Sequence, residues 1–189
     1  KGESGRRLIQ PFGEHNGGAN EEGYYLGIEL SPFKTINLSV YSDQFRFPQL
    51  SSICYPIRGS EYFIQVDYRM FTKMKLSLRY RRKCTDVSQK ISDIVNREIE
   101  IIDNETKQNY RVNIEYRFSS AVKLRFRTEY LTLATQLTRK KETGILIYQN
   151  VNFKTTDRFN LEFRISYFKT DSYNSGVGEF ENDLPGVLT

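Results

Sequence analysis

Residues 108–130 read QNYRVNIEYRFSSAVKLRFRTEY, and their spacing decides the fold. Tyr110, Val112, Ile114 and Tyr116 occupy every second position, with Arg111, Asn113, Glu115 and Arg117 between or just after them. After FSSA the pattern resumes, Val122, Leu124, Phe126 and Tyr130 alternating with Lys123, Arg125, Arg127 and Glu129. Successive side chains leave a pleated strand on opposite faces, so a strict period of two is strand geometry. The stretch is therefore a β-hairpin with one apolar and one charged face.

The same unit recurs in both directions, four times between Tyr24 and Phe168. Tyr24, Leu26, Ile28 and Leu30 lead through SPFK into Ile36, Leu38 and Val40; Tyr62, Ile64, Val66 and Tyr68 lead through MFTK into Leu76, Leu78 and Tyr80. The fourth unit runs Ile145, Ile147, Val151 and Phe153, then KTTD, then Phe159, Leu161, Phe163, Ile165 and Tyr167. Here the pattern is imperfect: Gln149 falls among the apolar positions and Leu146 and Tyr148 among the others, which predicts a bulge, a shifted register or cover by the next segment. Tight connections alternate with long ones, Ser42–Ser60, Arg82–Lys107 and Leu133–Thr143, so an up-and-down sheet gathers every tight turn at one end and every long loop at the other.

Residues 1–23 read as an entry loop or the end of a preceding strand, 24–168 as four hairpins, and 169–189 as a loop leading to further strands. In the second long loop, Val87, Ile91, Ile94, Val95 and Ile99 follow spacings of three and four with Asp86 as a cap, which predicts a short helix; its end, EIEIID, reads equally well as a strand lengthening the hairpin. Cys54 and Cys84 are both placed in long loops, either bridged in an oxidising compartment or as two unrelated thiols. His15, in EHNGGANEEG, reads as a solvated loop residue.

An alternating sheet can turn either face inward. A soluble lipocalin-like barrel encloses its apolar face around a hydrophobic ligand, whereas a membrane barrel presents it to lipid. Three features favour lipid: tyrosines bracket the apolar stripe (Tyr62 with Tyr68, Tyr110 with Tyr116), the other face carries dense charge of both signs, and connection lengths alternate as in outer-membrane barrels. No apolar run reaches the roughly 20 residues of a membrane helix. A mean hydropathy of -0.58 does not argue against strands, since only every second residue of a barrel strand faces lipid.

The net charge of +5 comes from 28 Lys and Arg against 23 Asp and Glu, dispersed without a basic tract, so direct nucleic-acid contact is not expected of this segment. Two cysteines and one histidine do not make a four-ligand zinc site, and neither Ser88 with Lys90 nor any paired carboxylate forms a nucleophile and base. No enzyme activity, metal or cofactor is expected.

The blocks RGSEYFIQVDYR (58–69), LSLRYRRK (76–83), QNYRVNIEYRFSSAVKLRFRTEY (108–130), GILIYQNVNFK (144–154) and RISYFKTDSYNSGVGEFENDL (164–184) resemble the C-terminal barrel region of Bacteroidota outer-membrane proteins that carry helix-hairpin-helix segments upstream. The resemblance implies a β-barrel in a bacterial outer membrane with chain continuing on both sides. It assigns no catalytic residue, and no DNA contact to any residue here. A last stretch without a closing aromatic strand fits an excerpt of such a protein.

The expected fold is therefore all-β, an antiparallel up-and-down membrane β-barrel with about eight strands here, part of a larger barrel, with one short helix in a long loop. Its expected role is membrane anchor or pore wall, with outer-membrane lipid outside and an anionic solute inside. Arg79, Arg81, Arg117, Arg125 and Arg127 on the charged face are the candidate lumen-lining selectors.

Overall fold

The computed structural model describes residues 22–47, 56–92, 98–156 and 159–176. They form eight strands: β1 (Glu22–Phe33), β2 (Ile36–Phe47), β3 (Ile57–Met70), β4 (Met74–Ser92), β5 (Glu98–Arg117), β6 (Val122–Thr135), β7 (Lys141–Thr156) and β8 (Phe159–Thr170). All lie in one antiparallel sheet in the order β1 to β8, each paired with its neighbours in sequence. Among the described residues β1 and β8 are edges and do not pair with each other.

Side-chain alternation and turn chemistry agree on this register. Tight turns at Lys34–Thr35, Phe71–Lys73 and Phe118–Ala121 share one end of the sheet. Each accepts a bond from the strand after next: Thr35 O accepts from Arg69 N, Lys73 O from Arg117 N and Ala121 O from Lys154 N, each at 2.7 Å. The first turn sits later than the SPFK reading placed it, because the register shifts between Leu30 and Phe33 and draws Ser31–Phe33 into the strand. Phe71 holds φ 57°, the left-handed conformation that a short reversal without glycine imposes.

The expected helix is absent from the described part of the second loop. β4 and β5 pair without interruption from Met74↔Tyr116 to Ser92↔Glu98, with Val87 opposite Asp103 and Ile91 opposite Ile99. Spacings of three and four were the weaker signal. A helix here would need a new nucleus, whereas the ladder only has to add rungs, and the β-branched EIEIID run suits the extended form. Because β3 pairs with β4 only as far as Thr85, and β6 with β5 only as far as Glu105, this ribbon projects beyond the sheet.

The fourth hairpin carries one of the expected irregularities, a register shift, but not at Gln149. β6 and β7 pair in unbroken register from Val122↔Phe153 to Ala134↔Lys141, and Gln149 is simply exposed on the apolar face. Leu146 and Tyr148 lie on the opposite face, where they are buried at 3% and 2% exposure. The register shift in this hairpin lies at Lys154/Thr156, beside the turn. Cys84 is in β4 and not in a loop; it is a free thiol donating to Asn104 Oδ1 at 2.9 Å, and Cys54 lies outside the described residues, as does His15.

The two faces differ in burial, in the reverse of a water-soluble sense. Leu26, Ile28, Ile64, Leu78, Phe163 and Ile165 share one face and are exposed, while Glu61, Glu129, Glu142 and Asn150 on the other are buried. The charged face is thus the sheltered one. Phe45, Phe47, Leu131 and Leu133 complete its packing near the long-loop end. Gly59, directly opposite Phe45, is needed there, since a Cβ would stand 2.2 Å from the Phe45 ring.

Candidate functional site

The sheltered face changes character across the sheet. On the β1–β3 side it is aromatic: Tyr25 and Tyr41 have ring centroids 5.4 Å apart, and Tyr41 stacks on Phe63 at 4.7 Å. From β4 onward it is cationic, because Arg or Lys falls on the same strand parity in β4, β5 and β6. Arg79 lies directly opposite Arg111, Arg81 opposite Asn109, and Lys83 opposite Lys107.

Two carboxylates organise these cations. Glu61 receives Arg81 through Nε at 2.6 Å and Nη2 at 2.7 Å, and the Tyr41 hydroxyl also donates to it. Glu129 receives Arg111 through Nε at 2.5 Å and Nη2 at 2.9 Å, and Asn109 Nδ2 at 2.6 Å. Such forked pairs hold a guanidinium in one orientation. Arg79, beside Arg81 and across from Arg111, has a buried Nε with no hydrogen-bond partner among the described residues.

The five candidate arginines all lie on the charged face, but not in one place. Arg79 and Arg81 line a cavity of about 490 Å³ at the long-loop side, together with Lys83, Lys107, Arg111 and Glu129. Arg125 sits toward the turns, its Nε 3.3 Å from Glu115 Oε1. Arg127 stacks over Tyr148 at 5.0 Å, and Arg164 covers the same ring at the same distance. Arg117 belongs to the turn end, opposite Lys123, where it lines a second hollow of about 630 Å³ with Arg69 and Lys75.

Sequence reading missed three participants here. Arg111 was legible as a cation of the charged face, and Lys107 was read as the end of a long loop; neither was legible as the direct cross-strand partner of Arg79 or Lys83, because register between β4 and β5 is a tertiary fact. Tyr148, which looked out of phase, is the ring clamped by two guanidiniums. Among the described residues no group of three or more His, Cys, Asp or Glu is placed to hold a metal ion.

The segment after β8 also reaches this face. Thr143 N and Oγ1 donate to Asp171 Oδ2 at 2.7 and 2.9 Å, the Ser172 hydroxyl donates to buried Glu142, and Lys107 Nζ donates to the Asn174 carbonyl at 3.0 Å. These bonds carry residues 171–176 back over the long-loop end, where Gly176 forms part of the cavity wall.

A second latch lies beyond it. Asp103, buried on β5, accepts from Leu137 N at 2.8 Å, Thr138 N at 3.1 Å, Thr138 Oγ1 at 2.8 Å and Asn104 N at 2.8 Å, tying down the β6–β7 loop. Burial pushes this carboxyl up, but the four donors outweigh it and hold it below its ordinary 3.8. A depressed carboxyl stabilises the fold above its unfolded pKa, and that contribution disappears as pH falls through the folded value. Amides of Leu137 and Thr138 are therefore expected to be protected from hydrogen exchange, relative to intrinsic rates, at neutral pH and to lose protection below 3.8. In Asp103→Asn the protection should be low throughout; a loop equally protected in wild type and variant would refute the latch.

On the exposed apolar face, Tyr80, Tyr110 and Tyr130 stand side by side across β4, β5 and β6, with centroids 5.0 and 6.5 Å apart. The Tyr110 hydroxyl donates to Gln108 Oε1 at 2.9 Å, and the next row toward the loops is polar, with Arg82, Gln108 and Thr132 in register. An apolar band thus ends on a row of tyrosines, the middle one bonded through its hydroxyl to the polar row beyond.

No protein-family model matches this chain, nor does any curated protein. Among solved structures it is similar to OmpT, an outer membrane protein of Vibrio cholerae folded in vitro and seen in a trimer form, with a TM-score of 0.60 at 14% identity over 79% of this chain. The fold is shared with an outer-membrane protein. This chain spans 46% of that protein's length, and at that identity the likeness concerns architecture alone.

Proposed function

We propose that the chain is part of a β-barrel wall in a bacterial outer membrane, acting as anchor or pore wall, with lipid against its apolar face and water or an anionic solute against its charged face. The observation that carries this reading is the reversal of faces: Leu26, Ile64, Leu78 and Ile165 are exposed, whereas Glu61 and Glu129 are buried. A soluble barrel around a hydrophobic ligand would need the opposite arrangement. The tyrosine row suits a membrane interface, where the ring is buried and the hydroxyl stays wet. On the block resemblance to Bacteroidota outer-membrane proteins, the chain would be the barrel part of such a protein, with no nucleic-acid contact of its own.

Anion preference follows from the excess of Arg and Lys on the charged face. In planar bilayers the full chain should pass anions more readily than cations, and Arg125→Glu and Arg127→Glu should move the reversal potential toward cation selectivity. Conductance without anion preference, unchanged by Arg125→Glu, would refute the pore-wall form of the proposal. Recovery of the full chain in the soluble fraction without detergent would refute the membrane reading altogether.

A further inference from the structure

We infer that the cavity on the charged face beside β4 and β5 is a binding site for a small polyanion carrying two or more carboxylate or phosphate groups. The inference rests on the inward placement of that face used in the functional proposal, but it concerns binding, which does not require conduction.

The first observation is register. Arg79 opposite Arg111 and Lys83 opposite Lys107 are two like-charge pairs directly across the ladder, with Arg81 between them. Like charges directly opposite destabilise a sheet, and natural sequences keep such conflicts mainly where function requires them. A similar pair at the turn end, Arg117 opposite Lys123, is offset by neighbouring carboxylate: Lys123 Nζ lies 2.8 Å from Glu115 Oε2. In the cavity the compensation is partial. Five cations line it against the carboxylates Glu105 and Glu129, and Glu61 lies behind Arg81, which still leaves cations in excess.

The second observation is unsatisfied polarity. Arg79 and Thr85 line this cavity, and Arg79 Nε and Thr85 Oγ1 are buried without a hydrogen-bond partner among the described residues. Buried polar groups are normally satisfied, so a guanidinium donor and a hydroxyl left open in one cationic hollow suit an anionic ligand. Glu129 spends its forked pair on Arg111 and accepts a further bond from Asn109, and among the described residues it takes none from Arg79. The third is shape. Residues 79 and 83 lie on one face of β4, roughly 13 Å apart at about 3.3 Å per residue, so the cationic strip is elongated and favours a ligand with separated charges over a single small ion. About 490 Å³ accommodates such a molecule, and the turn at Asn174–Gly176, held by Lys107, closes one side.

Inorganic tripolyphosphate is the probe, titrated into the full chain folded in detergent micelles at constant ionic strength, with acetate as the monovalent comparison. Saturable binding of tripolyphosphate and none of acetate is expected. Arg79→Gln and Lys107→Gln should each weaken it by about tenfold, while Lys123→Gln at the turn end changes it by less than about twofold. Arg79→Gln should also leave the unfolding midpoint of the ligand-free protein unchanged or raise it, because it removes a like-charge contact. Absence of saturation, equal losses in Lys123→Gln, or a lowered midpoint in Arg79→Gln, failure to fold included, would overturn the inference. Saturable binding without anion-selective conductance would refute the pore reading and leave the site, whereas anion-selective conductance without saturable binding would refute the site alone.

Discussion

Leu78→Arg is expected to destabilise the protein in phospholipid vesicles by about 2–4 kcal/mol, the cost of placing a guanidinium near the middle of a lipid-facing barrel strand. Leu78 is 45% exposed, and its cross-strand partners are Val66 and Val112, so the substituted side chain would emerge at the centre of the apolar stripe. On a face bathed in water the same change would stay within about 0.5 kcal/mol. The two expectations do not overlap, so denaturant unfolding from vesicles separates them. Gln149 supplies an internal comparison, since Gln149→Leu, on the same face beside Phe126 and Ile165, should stabilise the protein in vesicles. A Leu78→Arg variant as stable as wild type would mean that this stripe does not face lipid.

Glu129→Ala is expected to cost about 3–5 kcal/mol, because it strips Arg111, only 20% exposed, of its carboxylate partner. Glu129 is 3% exposed and takes both forked bonds from Arg111 as well as one from Asn109. Without it, Arg79 and Arg111 face each other across the ladder with no carboxylate between them. The edge pair Arg164–Glu162, 3.5 Å apart with Glu162 34% exposed, provides the contrast: Glu162→Ala, which also releases Asn150 Nδ2, should cost about 1–2 kcal/mol. Replacing Arg111 and Glu129 together by Met should recover most of the loss, since the penalty belongs to the stranded charge more than to the missing bond. Denaturant midpoints in which Glu129→Ala and Glu162→Ala fall equally would show that the sheltered face is as well screened as the edge.

Alternation made the eight strands legible, because Tyr110–Tyr116 and Val122–Tyr130 can satisfy a period of two only as strands. Failures came where two periodicities overlapped. Val87, Ile91 and Ile99 fit a helical spacing, yet Val87 and Ile91 also share a parity, and the ladder already running from Met74↔Tyr116 continued through them. The same holds for Tyr148: parity placed it on the charged face, and only the positions of Arg127 and Arg164 explain why a ring belongs there. Of the five candidate arginines, sequence located the face but not the grouping, with Arg79 and Arg81 in one cavity and Arg117 at the far end.

By itself the sequence determined local matters: the middle of each of the eight strands, which of their side chains share a face, and that one face is apolar and the other charged. These follow from backbone stereochemistry and need no neighbour. Only the tertiary structure decided which face is sheltered, which cations stand opposite one another, and that Glu129 serves Arg111 and leaves Arg79 open. Alternation is symmetric between inside and outside, and cross-strand register depends on distant residues meeting. Neither can be read along a single strand.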